Sequence, residues 1–193
     1  MKKILIVLIL FSIISTSNLL AQGITAKGIV AGLNLANVTG DNITNNKMKL
    51  GFALGGFITF GINHQFAIRP EIYYSAKGFG IDTEIYDFDL SLNYLDIPIL
   101  GVFSINKNIN LFAGPYIEIY LNGKITNVND NVSQDIESDE INSPGFGLTV
   151  GTEYRIQQFS IGSRYNLGLS NIPDDDSDKY KHSVIQFIVG FYF

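Results

Sequence analysis

A chain of 193 residues is long enough for one domain and short for two. It holds 13 Lys and Arg against 18 Asp and Glu, and its net charge of −5 argues against nucleic acid as a partner. It has no cysteine, which excludes a disulfide and a thiol-linked lipid anchor.

The first element is a leader. Lys2 and Lys3 precede an uncharged apolar stretch from Ile4 to Ile14, followed by "STSN" and "LLAQ". This layout predicts a secretory signal peptide over residues 1–21, cut between Ala21 and Gln22. The apolar run falls short of the ~20 residues of a spanning helix. Losing Lys2 and Lys3 leaves 11 bases against 18 acids, so residues 22–193 carry about seven negative charges. No later stretch is apolar for long enough to cross a membrane as a helix. A membrane form must therefore be a closed barrel.

Eight alternating segments follow, at about 24–36, 49–62, 66–78, 90–104, 109–122, 144–156, 159–169 and 183–193. The connections after the second, fourth and sixth are tiny: "NHQ" at 63–65, "NKN" at 106–108 and "QQ" at 157–158. Those after the first, third, fifth and seventh are long, at 37–48, 79–89, 123–143 and 170–182. Short periplasmic turns alternating with long extracellular loops are the habit of outer-membrane barrels. The acids agree with this sorting. Fourteen of the 18 lie in or beside the long connections, and the other four, Glu71, Asp96, Glu118 and Glu153, share the parity of the less apolar face. A charge on the opposite face would cost on the order of 2–4 kcal/mol at the bilayer midplane for a base, and less for an acid. Lys27 has the wrong parity, but it stands near a strand end, where its stem can snorkel.

The final segment, "VIQFIVGFYF", puts Phe193, Phe191, Val189, Phe187 and Ile185 on one face. That face is predicted to meet hydrocarbon. Phe193, with Phe191, looks like the C-terminal aromatic signal by which the barrel-insertion machinery recognises its clients. The last strand then pairs with the first, leaving no open edge. The predicted fold is all-β: an eight-stranded antiparallel up-and-down transmembrane β-barrel over 22–193, in outer-membrane lipid.

Eight strands enclose an interior just wide enough for side chains. Inward parity belongs to Arg69, Lys77, Arg155 and Arg164, and to Glu71, Asp96, Glu118 and Glu153. Four bases against four acids predict a self-neutralising structural network, since an unpaired buried charge is costly. Arg69 with Glu71, and Glu153 with Arg155, are neighbours on their strands. Tyr73, Tyr94, Phe112, Tyr116, Tyr120 and Tyr192 add bulk. A proton or ion path along these charges is the functional alternative.

"RPEIYYSAKGFG" (69–80), "YLDIPILG" (94–101), "LFAGPYIEIYL" (111–121), "GFGLTVGTEY" (145–154) and "SRYNLGLSNI" (163–172) follow one another in order. Together they resemble the PorT-like outer-membrane β-barrel family of Gram-negative bacteria. The resemblance implies the eight-stranded barrel and the outer membrane. It implies little chemistry. The member that names the family is an accessory of a secretion machine, but the shared motifs map to wall and lumen and do not carry that role across.

No catalytic group emerges. His64 sits in a short turn, while His182 and Ser183 are consecutive on a strand and point opposite ways. Asp174, Asp176 and Asp178 alternate in "PDDDSD", a possible cation or partner site, yet the glycine and distant glutamate of a calcium loop are missing. Loop three, "NVNDNVSQDIESDE", is polar and acidic, and reads as a solvated, mobile loop without an anchor. The residues call for no cofactor and no metal centre. They point to a non-enzymatic barrel that serves interaction or envelope structure, with an unidentified protein partner, or else to a narrow channel.

Overall fold

A computed structural model describes residues 23–40, 46–82, 87–127, 129, 132–173 and 180–193. The expected signal peptide lies outside the described residues, as do Asp174, Asp176 and Asp178. Alternation of large apolar with small or polar residues builds nine strands. They are β1 (Ile24–Gly40), β2 (Asn46–Gly61), β3 (Phe66–Asp82), β4 (Asp87–Ser104), β5 (Ile109–Asn127), β6 (Val132–Asp135), β7 (Gly145–Ile156), β8 (Phe159–Gly168) and β9 (Tyr180–Tyr192).

Eight of them form one closed antiparallel ring. The order β4-β3-β2-β1-β9-β8-β7-β5 is sealed by the β4–β5 ladder. The β1–β9 seam runs from Gly28 opposite Tyr192 to Gly40 opposite Tyr180. With no water in the hydrocarbon layer, closure is what satisfies the backbone of the first and last strands. The ladders of Pro70 and Pro98 are interrupted beside these residues, which lack an N–H, without a change of register.

The faces follow parity. Leu33, Phe52, Leu54, Val150, Ile161, Phe187 and Val189 are all more than half exposed on the outer wall. Aromatic pairs band that wall, with Phe66 on Phe103 and Phe159 on Phe191 near the short turns and Phe52 on Tyr74 farther up. Such girdles mark the membrane interfaces. Lys27 does leave the lumen, and its ammonium lies 5.2 Å from the centre of the Phe193 ring.

Two differences from expectation lie at the long-loop end. The strands continue past the predicted ends: β5 runs 19 residues, nearly twice the ~9–11 that a tilted strand needs to cross. A bulge between Asn93 and Tyr94 re-phases this outer part, so that Leu121 and Asn122 both face out. Loop three is not the unanchored segment expected. Its residues 132–135 pair with β5 as β6, and its Ile141 is buried with Ile172 of the next connection against Val38, Phe79, Leu92, Tyr94 and Tyr120. Asn142 N–H donates to the Ile172 carbonyl at 2.9 Å, and the Tyr120 hydroxyl donates to the Ile136 carbonyl at 2.8 Å. Burial of one isoleucine from each connection anchors the two polar segments, whose acids stay exposed at Glu137, Asp139 and Glu140. The barrel is thus stoppered at its outer end.

Inward glycines make room for rings. A Cβ on Gly147 would fall inside van der Waals contact of the Tyr116 ring and the Leu167 carbonyl. On Gly151 it would meet the Phe112 ring and the Ser163 carbonyl. Gly147→Val is expected to lower unfolding free energy by about 1–3 kcal/mol in urea titrations from phospholipid vesicles. Adding Tyr116→Leu should recover part of that loss. An unchanged midpoint in the single variant would contradict this packing.

Candidate functional site in the barrel lumen

Strand pleat sends every second side chain inward, and the ring brings residues far apart in sequence to one axis. Below the stopper, Lys77 on β3 reaches two carboxylates at once. Its ammonium lies 2.8 Å from Asp96 on β4 and 2.8 Å from Glu118 on β5. The Tyr94 and Tyr116 rings face the same ammonium at 5.0 and 5.4 Å. A rotatable NH₃⁺ has three donors, enough to serve both acids.

Farther down, Arg164 of β8 forks Glu71 of β3, with Nη1 donating to Oε2 and Nη2 to Oε1, the second at 2.9 Å. The Phe112 ring packs 4.9 Å from the guanidinium carbon. Beside this pair, Gln186 donates to Asn34 Oδ1 at 2.8 Å, and Asn34 Nδ2 donates to the Ala76 carbonyl at 2.8 Å. Toward the short turns, Arg69 Nη2 donates to Glu153 at 2.9 Å and Nε donates to Thr59 Oγ1 at 3.1 Å. Glu153 also accepts from the Tyr192 hydroxyl at 2.7 Å and from Asn110 at 2.9 Å. These charged side chains are at most 6% exposed.

The structure thus brings together seven of the eight predicted lumen charges. Arg69 and Glu71, neighbours on β3, each pair across the lumen, with Glu153 and Arg164. Arg155 is not in the network. It sits half-buried at the short-turn mouth, its Nε donating to the Gln157 carbonyl at 2.9 Å. Inside, three bases face four acids rather than four facing four. Parity alone assigns a face but not a height, and Arg155 is one residue from the strand end.

Two residues have surroundings that the sequence did not disclose. Tyr192, expected in the lumen only as bulk, bonds to both members of the Arg69–Glu153 pair. His182, expected at an outer strand start, is 1% exposed and lies edge-on to Tyr94 with ring centres 5.1 Å apart. Both its ring nitrogens, the Tyr116 hydroxyl and Arg164 Nε are buried without a hydrogen-bond partner among the described residues. His64 is exposed in its turn. Among the described residues no three His, Asp or Glu side chains gather into a metal-binding group. Phe191 is half-buried and Phe193 exposed on the outer wall.

Glu71→Gln removes the charge opposite Arg164 and should destabilise the folded barrel by about 3–5 kcal/mol. The double change Glu71→Leu with Arg164→Met should restore most of that, as read by vesicle-based urea titration. His182→Phe should be neutral or stabilising, since an unsatisfied buried polar group costs roughly 1–3 kcal/mol. A clear loss of stability in that variant would mean that the imidazole is hydrogen-bonded in the membrane.

Solved structures share this architecture. Neisserial surface protein A (NspA) superposes with a TM-score of 0.56 at 12% identity, covering 89% of this chain and 100% of that one. Ail, the attachment invasion locus protein of Yersinia pestis, solved with the heparin analogue sucrose octasulfate, gives 0.54 at 18% identity, with 87% and 98% covered. These likenesses concern the fold. A comparison with curated proteins found no match. Residues 21–174 match the outer membrane protein beta-barrel domain. With its closed eight-stranded ring and apolar, aromatic-banded wall, the chain belongs to that family and resides in the outer membrane of a Gram-negative bacterium.

Proposed function

We propose that this protein is a non-conducting, non-enzymatic barrel that serves as an accessory or structural partner in the envelope, meeting other proteins through its outer collar or its periplasmic turns. The observation that carries this reading is the blocked lumen. An apolar stopper around Ile141 and Ile172 overlies the Lys77 cluster, and the Glu71–Arg164 and Arg69–Glu153 pairs follow beneath it. Paired charges and packed rings fill the cross-section at each of these levels among the described residues. The network serves as a structural plug, and it fixes the barrel's cross-section by linking opposite walls.

Against an enzyme, His182 is fully buried with its ring edge-on to Tyr94, and His64 stands exposed in a turn. Phe193 and Phe191 supply the insertion signal, read before the strand is buried in the wall. The acidic outer loops fit a partner or divalent ions that tolerate negative charge.

Two measurements test this. Purified barrel in planar bilayers should give no steady single-channel steps, and Ile141→Ser should not create them, because the charge layers below remain. Steady steps in the unaltered protein would replace this reading with the narrow channel. Crosslinking in the native membrane should recover a stoichiometric protein partner, and recovery of the barrel alone would leave only the structural role.

A further inference from the structure

Arg155 is the only inward-parity base, among the described residues, that has no carboxylate within ion-pair distance. Arg69, Lys77 and Arg164 are all paired. It is nonetheless held in place. Its backbone N–H donates to the Asn108 carbonyl at 2.7 Å, and Asn108 Nδ2 donates back to the Arg155 carbonyl at 2.7 Å. The Tyr192 ring covers one face of the guanidinium at 4.0 Å. Nε is committed to the Gln157 carbonyl, and that carbonyl is presented by a residue at φ 55°, where glycine is favoured at the first position of a tight hairpin turn. A non-glycine residue in the left-handed region costs about 1–2 kcal/mol. The turn keeps this conformation while fixing a cation that has no carboxylate partner among the described residues.

The cation stands in a cavity that opens at the short-turn end. One lobe of about 280 Å³ is lined by Arg69, Arg155, Thr59, Ser104, Asn110 and Tyr192. A second of about 340 Å³ extends past Ile105, Asn106 and Lys107, sharing His64, Gln65, Ser104, Asn110 and Arg155 with the first. No Asp or Glu lines either lobe among the described residues. Arg69 is already paired with Glu153, and Lys107 stands exposed at the rim, which leaves Arg155 as the half-buried cation of the mouth without an ion-pair partner among the described residues. The two terminal nitrogens of Arg155 remain as a planar fork, the shape that takes a carboxylate with two parallel bonds. Amide side chains of Asn63, Gln65, Asn106 and Asn110 surround it and suit peptide groups.

We infer that the periplasmic mouth is a carboxylate-binding site in which Arg155, backed by Tyr192 and Gln157, receives a single carboxylate presented from the periplasm. The carboxylate belongs either to a small free acid or to the acidic segment of a periplasmic protein. A single carboxylate matches the one guanidinium at the mouth that lacks an ion-pair partner, whereas a phosphate dianion would exceed it. This goes beyond the proposed scaffold role and does not need it, since a channel or a lone structural barrel could carry the same mouth.

The full chain, folded in zwitterionic detergent, would be titrated calorimetrically with acetyl-Gly-Asp-Gly-amide, N-acetylglycine, inorganic phosphate and the neutral acetyl-Gly-Asn-Gly-amide. Saturable binding of a carboxylate probe is expected. It should weaken at least about tenfold in Arg155→Gln, and less in Arg155→Lys, which keeps the charge but not the fork. Equal binding of both carboxylates identifies a small free acid as sufficient, while binding of the Asp peptide alone identifies an acidic polypeptide. Should Arg155→Gln not fold, the unaltered protein still decides: the carboxylate probe should slow phenylglyoxal modification of Arg155. Absence of saturable binding, equal binding of phosphate or the Asn peptide, or lack of protection would overturn the site.

Discussion

Everything in this barrel depends on one requirement: a backbone placed in hydrocarbon must find all its hydrogen bonds within the protein. A sheet can meet it only by closing, and here closure is the pairing of β1 with β9. Closure at eight strands in turn determines what the inside can be. The cylinder is too narrow for a water column and too wide to be left empty, so side chains must fill it. Large rings at Tyr73, Tyr94, Phe112, Tyr116 and Tyr192 do so, and Gly151 and Gly147 give way to the Phe112 and Tyr116 rings.

The polar half of each strand alternation is therefore committed to the lumen, and its charges have to be settled there. Truncating one member of a buried ion pair is far costlier than omitting both, so such networks tend to be retained as units. The pairs here join strands on opposite sides of the ring: β3 with β7, and β3 with β8. They act as struts across the cylinder. The apolar stopper adds a lid held by ordinary hydrophobic burial, and the wall outside needs only to be greasy.

Much of this was legible in the residues. The alternation in "VIQFIVGFYF", the sorting of short and long connections and the confinement of acids to loops or to one parity all follow directly from the bilayer's demands, so they are written locally. What joins Arg69 to Glu153, 84 residues away, is not local. It depends on strand tilt and stagger, which set the height at which two inward residues meet. Arg155 shows the same gap: its parity is inward, but its level is the mouth and not the middle. The burial of Ile141 and Ile172 was hidden for another reason. An isolated isoleucine in an acidic loop has no periodicity to reveal it, and only the neighbouring loop supplies its contact.

The β1–β9 seam also has a consequence for how the chain reaches this state. It joins Gly28 to Tyr192, residues 164 positions apart, so the ladder that completes the ring is also the one of highest sequence separation. Contacts of that kind form late and slowly, because the loop entropy must be overcome before any of their bonds repay it. Until β9 arrives, β1 presents a bare row of amides and carbonyls, the form of strand edge on which chains aggregate. Delivery of the unfinished sheet is then a kinetic problem: the first strand has to be shielded for as long as synthesis, transit and insertion of the last one take.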